Sequence, residues 1–254
     1  DVDEGPLLNW VHGYGDTLWM VGNEGRILRR IGDGPFEVIE TEEKQNLWGV
    51  WTASEDEAFA VGGDPLAMGD PDPVILHWKN GQWSRMTIPK TEQSFKALFK
   101  VWGTSANNVY AVGANGVILH FDGREWQQQA SGTARDFISI WGRGPNDIVA
   151  VGVRANGMIA RFDGTSWTHT VLTGEPGMNG VWMNADGHAT VVGGRGRILR
   201  FAPSQTDYIR EKSENRLLLH GIWGAGDGSL FSVGGTLDRN PPWKGATIQD
   251  LGQP

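Results

Sequence analysis

The sequence has no cysteine, no apolar run long enough to cross a bilayer and no excess of basic residues. Without cysteine there is no disulfide, no thiolate metal site and no cysteine nucleophile. The compartment stays open on this ground, because many exported bacterial proteins also lack cysteine. A spanning helix needs about eighteen or more consecutive apolar residues, so no transmembrane segment is expected, and the start of the chain does not resemble a signal peptide. Lys and Arg number 22 against 30 Asp and Glu, a formal charge of −8, and the basic residues are scattered. A phosphate-tracking surface needs clustered cations, so nucleic acid is not an expected partner and an anionic membrane is disfavoured. Glycine is plentiful, at 37 residues, but has no three-residue period, which excludes a collagen-like rod and points to many tight turns.

What the chain does contain is a repeat. Val-Gly recurs at Val21, Val61, Val112, Val151, Val192 and Val233, 39–41 residues apart except for one step of 51. Ten residues before the Val stands Trp51, Trp102, Trp141, Trp182 or Trp223, and His12 takes that place in the first copy if one residue is skipped. The clearest copy, from Ala97 to Gln129, divides into four short alternating or apolar runs separated by turn residues, with Asp122-Gly123 reading as a two-residue hairpin turn. Four antiparallel strands per unit, in series with no helix between, are the pattern of propeller blades. The expected fold is therefore all-β, a six-bladed β-propeller of four-stranded antiparallel blades. Residues 1–254 form one domain in this reading, with blades at about 7–40, 45–89, 96–130, 136–172, 177–210 and 217–254. The last blade ends short of its outer strand; either Asp1–Glu4 supplies it and closes the ring, or the edge beside Ala246–Asp250 is open to another chain.

The repeat also accounts for most of the 13 tryptophans. Trp83, Trp126 and Trp167 fill an outer slot, while Trp19 and Trp78 share columns with Phe and Tyr of other units, so ten rings including the five inner ones read as wedges between blades. Trp10, Trp48 and Trp243 stand outside the columns.

Asp122-Gly123-x-x-Trp126 and Asp163-Gly164-x-x-Trp167 resemble the Asp-box hairpin of sialidase-type propellers and the repeats of the Ycf48 photosystem assembly family. The longer pattern Val-Trp-Gly … Val-Gly … Gly-x-Ile-Leu-His-Phe-Asp-Gly-x-x-Trp is similar to tandem repeats of exported myxobacterial proteins. This resemblance implies fold and, from the Ycf48 side, a structural or assembly role. The Ser usual in an Asp box is absent, and no sialidase Arg triad, Tyr nucleophile or Asp acid has a counterpart, so no catalytic apparatus is carried over.

Function is sought where the repeat is broken. Two connections between second and third strands are enlarged, Gly63–Pro73 and Gly235–Lys244. The first holds Asp64, Asp70 and Asp72, which offer oxygens to Ca2+ or are ordinary loop residues. The second holds Asp238, Arg239 and Trp243, a ring that either stacks on a ligand or seals the rim. Three residues before the inner aromatic, the column reads Asn9, Trp48, Phe99, Ile138, Asn179 and His220, which places Asn179, His220 and Asn9 in a polar arc. Among the short turns of the same face, Asn115, Arg154, Asn156 and Arg195 are further candidates for recognition. No phosphate loop, Ser-His-Asp set or metal-spaced His pair is present. The leading expectation is a non-enzymatic module, exported in the myxobacterial pattern, that binds a glycan or a protein on the insert face as a monomer or an edge-paired dimer. The alternatives are an assembly factor, or a carbohydrate-active enzyme using His220 with Asp70, Asp72 or Asp238.

Overall fold

The computed structural model describes residues 5–153, 155–213, 216–225, 228–235 and 247–250. The chain divides into two compact units, Asp1–Ala130 and Ser131–Pro254, each carrying three antiparallel sheets.

In the first unit, sheet one is β1 (Leu8–Tyr14), β2 (Thr17–Gly22), β3 (Ile27–Ile31) and β4 (Glu37–Val38). Sheet two is β5 (Leu47–Ser54), β6 (Glu57–Gly62), β7 (Val74–Lys79) and β8 (Gln82–Arg85), and sheet three is β9 (Leu98–Ser105), β10 (Asn108–Gly113), β11 (Ile118–Phe121) and β12 (Trp126–Gln129). In the second unit, sheet four is β13 (Phe137–Gly144), β14 (Asp147–Gly152), β15 (Met158–Phe162) and β16 (Trp167–Val171). Sheet five is β17 (Met178–Met183), β18 (Ala189–Gly193), β19 (Ile198–Phe201) and β20 (Tyr208–Glu211), and sheet six has three described strands, β21 (Leu219–Gly224), β22 (Leu230–Gly234) and β23 (Thr247–Asp250). Every sheet is a meander of neighbours in chain order, as the repeat predicted. Asp1–Glu4, expected to complete sheet six, lie outside the described residues.

Period-two alternation puts apolar side chains on both faces of each sheet, and the core lies between sheets. Trp19, Val21 and Ile27 of sheet one meet Val50, Ala60, Leu76 and Trp78 of sheet two. Val149 and Val151 of sheet four meet Val181, Val191 and Phe201 of sheet five. Burying one such aliphatic side chain stabilises by roughly 1.5–3 kcal/mol.

The inner aromatics hold equivalent register positions: Trp51 opposes Phe59, Trp102 opposes Tyr110, and His12 opposes Trp19. Within each unit a ring packs on the inner strand of the following sheet. A Cβ on Gly103 would stand 2.9 Å from Cη2 of Trp51, and one on Gly224 would stand 2.2 Å from Cζ2 of Trp182. Glycine is required at both places because the ring occupies the volume a side chain would fill. In sheet one the smaller His12 leaves room for a side chain, and Thr52 fills it. The Thr52 N–H donates to Nδ1 of His12 at 3.1 Å, and its hydroxyl donates to the His12 carbonyl at 3.3 Å. The rings are not equally covered, however. Trp51 is buried, Trp141 and Trp182 are half-buried, and Trp223 is exposed.

The Asp-Gly turns differ from the two-residue hairpin expected. Phe121 pairs with Trp126 and Phe162 with Trp167, so the loops hold four residues. The reason is a side chain that binds backbone: Oδ1 of Asp122 accepts from the N–H groups of Arg124 and Glu125 at 2.9 and 3.0 Å. Asp163 does the same with Thr165 and Ser166 at 2.8 and 2.9 Å. These bonds from backbone N–H groups hold both carboxyls below the usual carboxylate range.

Replacing Trp51 by Ala should cost about 3–5 kcal/mol through the cavity over Gly103, measured by urea unfolding. Burial also lowers the His12 imidazole to about 4, so the folded state resists a proton that the unfolded chain takes up near pH 6.5. Stability present above pH 6.5 should therefore fall as pH drops towards 4, by up to about 3 kcal/mol. Urea midpoints for His12→Trp, which lacks the titrating ring, should lose this component of the slope.

Candidate functional site

The column Asn9, Trp48, Phe99, Ile138, Asn179 and His220 has one structural identity. In every sheet the register between first and second strands shifts at this residue, making it the extra residue of a β-bulge. A bulge turns its side chain out of the alternation, so none of the six is fixed by either core face, and all are half-buried.

The polar members are tied into the fold. Nδ2 of Asn9 donates to Oδ1 of Asn23 at 2.9 Å and to the Leu47 carbonyl at 3.0 Å. Nδ2 of Asn179 donates to the Leu219 carbonyl at 3.0 Å, linking sheets five and six as Asn9 links one and two. The Trp48 indole N–H donates to the Gly63 carbonyl at 2.7 Å, and Nε2 of His220 makes the matching contact with the Gly235 carbonyl at 3.3 Å. Gly63 and Gly235 open the two inserts, at φ +129° and +147°. Trp48 and His220 are thus struts at the insert bases, which accounts for a ring bearing N–H in these two sheets. As a donor to that carbonyl His220 is already engaged, and Asp70 and Asp72, its sequence-expected acidic partners, belong to the other unit.

The first insert is itself pinned. Oδ1 of Asp64 accepts the Leu66 N–H at 2.8 Å, Nζ of Lys96 donates to the Ala67 carbonyl, and Asp72 pairs with Arg85 and accepts from Gln45 at 2.9 Å. Asp64 and Asp72 therefore serve the loop, Asp70 is exposed, and no group of three metal-ligating side chains exists among the described residues. The loop leaves Leu66 and Met68 exposed. Asp238, Arg239 and Trp243 lie outside the described residues, as does Arg154.

What the structure brings together is a concavity of about 630 Å3 in the second unit. Its walls are the short turns after the second strands of sheets four and five, with Asn156 and Arg195 at their tips, together with Asn179 and Leu218. Asn156 and Arg195 stand at φ +54° and +58°, which holds each tip in a left-handed kink. Sequence reading had marked both residues but not their convergence. It missed Glu175, whose fully buried carboxylate lies between Arg197, at 2.7 Å, and Arg210. That clamp fixes the Gly174–Gly177 floor, and an isolated bridge between Ala155 and Pro176 joins the floor to the sheet-four turn. With Glu175 neutralised, the exposed Arg195 leaves the rim cationic beside two amides and an aliphatic side chain. The arrangement offers hydrogen bonds and shape without a paired acid and base.

Sequence reading also missed Lys100. Its Nζ lies 3.0 Å from the centre of the Trp10 ring, reached across Gly49, and burial drives its ammonium well below the usual lysine range. The ring face favours the charged form, but loss of water opposes it and dominates.

No family model and no curated protein matches the sequence. Solved structures do match in fold. A structure described as YCF48 bound to D1 peptide is 16% identical, with a TM-score of 0.67 over 96% of this chain and 80% of that one. YCF48 from Cyanidioschyzon merolae is 15% identical, with a TM-score of 0.69 over 91% of this chain and 80% of that one. A streptogramin B lyase is 15% identical, with a TM-score of 0.72 over 89% of this chain and 75% of that one. The chain therefore has the β-propeller fold, built of tandem Trp-rich sheets. No helix among the described residues is long and apolar enough to cross a membrane.

Lys100→Met should raise stability at pH 7 by about 1–3 kcal/mol, because folding costs this lysine its hydration or its proton, and no ion pair among the described residues offsets that. The gain should shrink as pH rises towards 10.5, where the unfolded lysine also loses its proton. Urea unfolding of both proteins at pH 7 and pH 10 checks the size and the trend.

Proposed function

We propose that this chain is a non-enzymatic recognition propeller of the assembly-factor type, which holds an extended protein segment in the concavity of sheets four to six. The observation that carries the reading is the convergence of Asn156, Asn179 and Arg195 beside Leu218 over a floor fixed by Glu175. An extended backbone presents carbonyls and N–H groups at short intervals. Amides that both donate and accept, with one guanidinium, suit it. A fixed floor avoids the ordering cost that a mobile loop would add on binding. A neighbour of the same fold has been captured with a peptide, which supports a protein over a glycan as the ligand class.

The test uses peptides selected from a displayed random library, with affinities read by fluorescence anisotropy. Arg195→Glu should weaken a selected peptide at least tenfold, about 1.4 kcal/mol. Asn156→Gly, which keeps the left-handed turn, should weaken it by about threefold with unchanged melting. Selected peptides indifferent to both substitutions would place recognition elsewhere. A glycan-array signal abolished by Arg195→Glu, with no peptide selected, would replace the protein reading by the sugar one.

A further inference from the structure

The residue that follows each bulge forms a column of its own: Trp10, Gly49, Lys100, Ser139, Gly180 and Gly221. Four of the six are glycine or serine, so this position otherwise carries little side-chain volume. The two large side chains are the exceptions, and both belong to the first unit. There β5, which holds Gly49, packs between β1 with Trp10 and β9 with Lys100. A Cβ on Gly49 would stand 3.1 Å from Cα of Lys100, and glycine leaves the way open. Nζ of Lys100 crosses to the face of Trp10, 3.0 Å from the ring centre. Trp10, which the aromatic columns leave unexplained, thus has the other departure from this column as its partner.

Lys100 is 8% exposed, and among the described residues it meets neither a carboxylate nor a hydrogen-bond acceptor. The other sheets avoid that cost at this position, and such departures concentrate where function needs them. Loss of water favours the neutral amine. A neutral amine keeps its lone pair at pH 7, where an ordinary lysine holds it in an N–H bond. Trp10 is half-buried, so the wall of this site borders solvent while the amine against it is nearly sealed. An anion would need the positive charge that burial opposes, and a metal ion would need several ligands. A carbonyl carbon needs only the lone pair, and an apolar wall shields the product from water.

We propose that Lys100 is a covalent capture site for small aldehydes, with the face of Trp10 as the wall against which the bound carbon chain lies. Nζ forms a bond to the carbonyl carbon as the C=O π electrons move to oxygen. The resulting carbinolamine loses that oxygen as water, which carries off both amine hydrogens, and a C=N bond remains. No electrons are gained or lost overall, and hydrolysis reverses the capture. Small aldehydes are favoured over bulkier carbonyl compounds because so little of Lys100 is open to solvent. The site lies in the first unit and is independent of the concavity in the second.

Acetaldehyde with sodium cyanoborohydride tests this on the intact protein. The reductant fixes each imine as an N-ethyl lysine, and peptide mass spectrometry times the change at every lysine. At pH 7 Lys100 should be modified at least tenfold faster than Lys44 and Lys90, which are exposed. The ratio should fall by about tenfold per pH unit towards pH 10, as the exposed lysines gain their neutral form. In urea the preference should vanish. Modification of Lys100 only after unfolding would overturn the proposal and make the residue a sealed structural one. A Lys100 rate no faster than that of Lys44, or one that climbs with pH in parallel with it, would overturn it too.

Discussion

Each unit depends on one contact between its last two sheets, an indole packed against a glycine of the following sheet. Trp51 on Gly103 and Trp182 on Gly224 place a large apolar area where a Cβ would otherwise hold the strands apart. The same contact explains the Trp-Gly dipeptide. The tryptophan supplies the ring for the following sheet, and the adjacent glycine receives the ring of the preceding one. Ring and seat are therefore set in different repeats, and a change in one requires a change in the other. His12 with Thr52 shows such an exchange, a smaller ring facing a side chain and two hydrogen bonds replacing part of the lost apolar contact.

The bulge in each first strand is the second constraint. Because its extra residue belongs to neither packing face, the column can vary where the ring column cannot. Asn, Trp and His at these positions bind the carbonyls of Leu47, Leu219, Gly63 and Gly235, beside the bulges and at the insert-opening glycines. A backbone acceptor there is costly to leave unpaired, so polarity in this column follows first from the fold. Asn179 alone combines that duty with a place in the concavity.

The sheets and their register were legible because the ring, the Val-Gly pair and the turn residues recur at a fixed period. The Asp-Gly loops were read too short because a carboxylate that gathers two backbone N–H groups extends a turn without changing its glycine. The bulge was invisible because alternation assigns every residue to one of two faces. Asn156 and Arg195 were noticed as polar turn residues, but their convergence depends on how adjacent sheets pack. Glu175 and its arginines left no trace, since Glu175 and Arg210 lie 35 residues apart and outside any repeated column. Lys100 was hidden for the opposite reason: it sits in a strand whose other residues satisfy the apolar pattern.

Glu175 and Lys100 are both buried ionisable groups, yet they differ in what they do. The carboxylate is met by two guanidinium groups that stay partly in water, and the cost of desolvating the carboxylate offsets much of their attraction. What it gives is direction, because a carboxylate held on each oxygen by a different arginine keeps the Gly174–Gly177 connection in one place where apolar packing would let it slide. The concavity beside it gains a floor without gaining flexibility. Lys100 faces the Trp10 ring and has no ion pair among the described residues, so its burial is a cost to the inner strands of the first unit. A fold whose sheets are already over-determined by ring and seat tolerates that strain. The same surplus lets the short turns of the second unit hold Asn156 and Arg195 in left-handed kinks that a less constrained chain would relax.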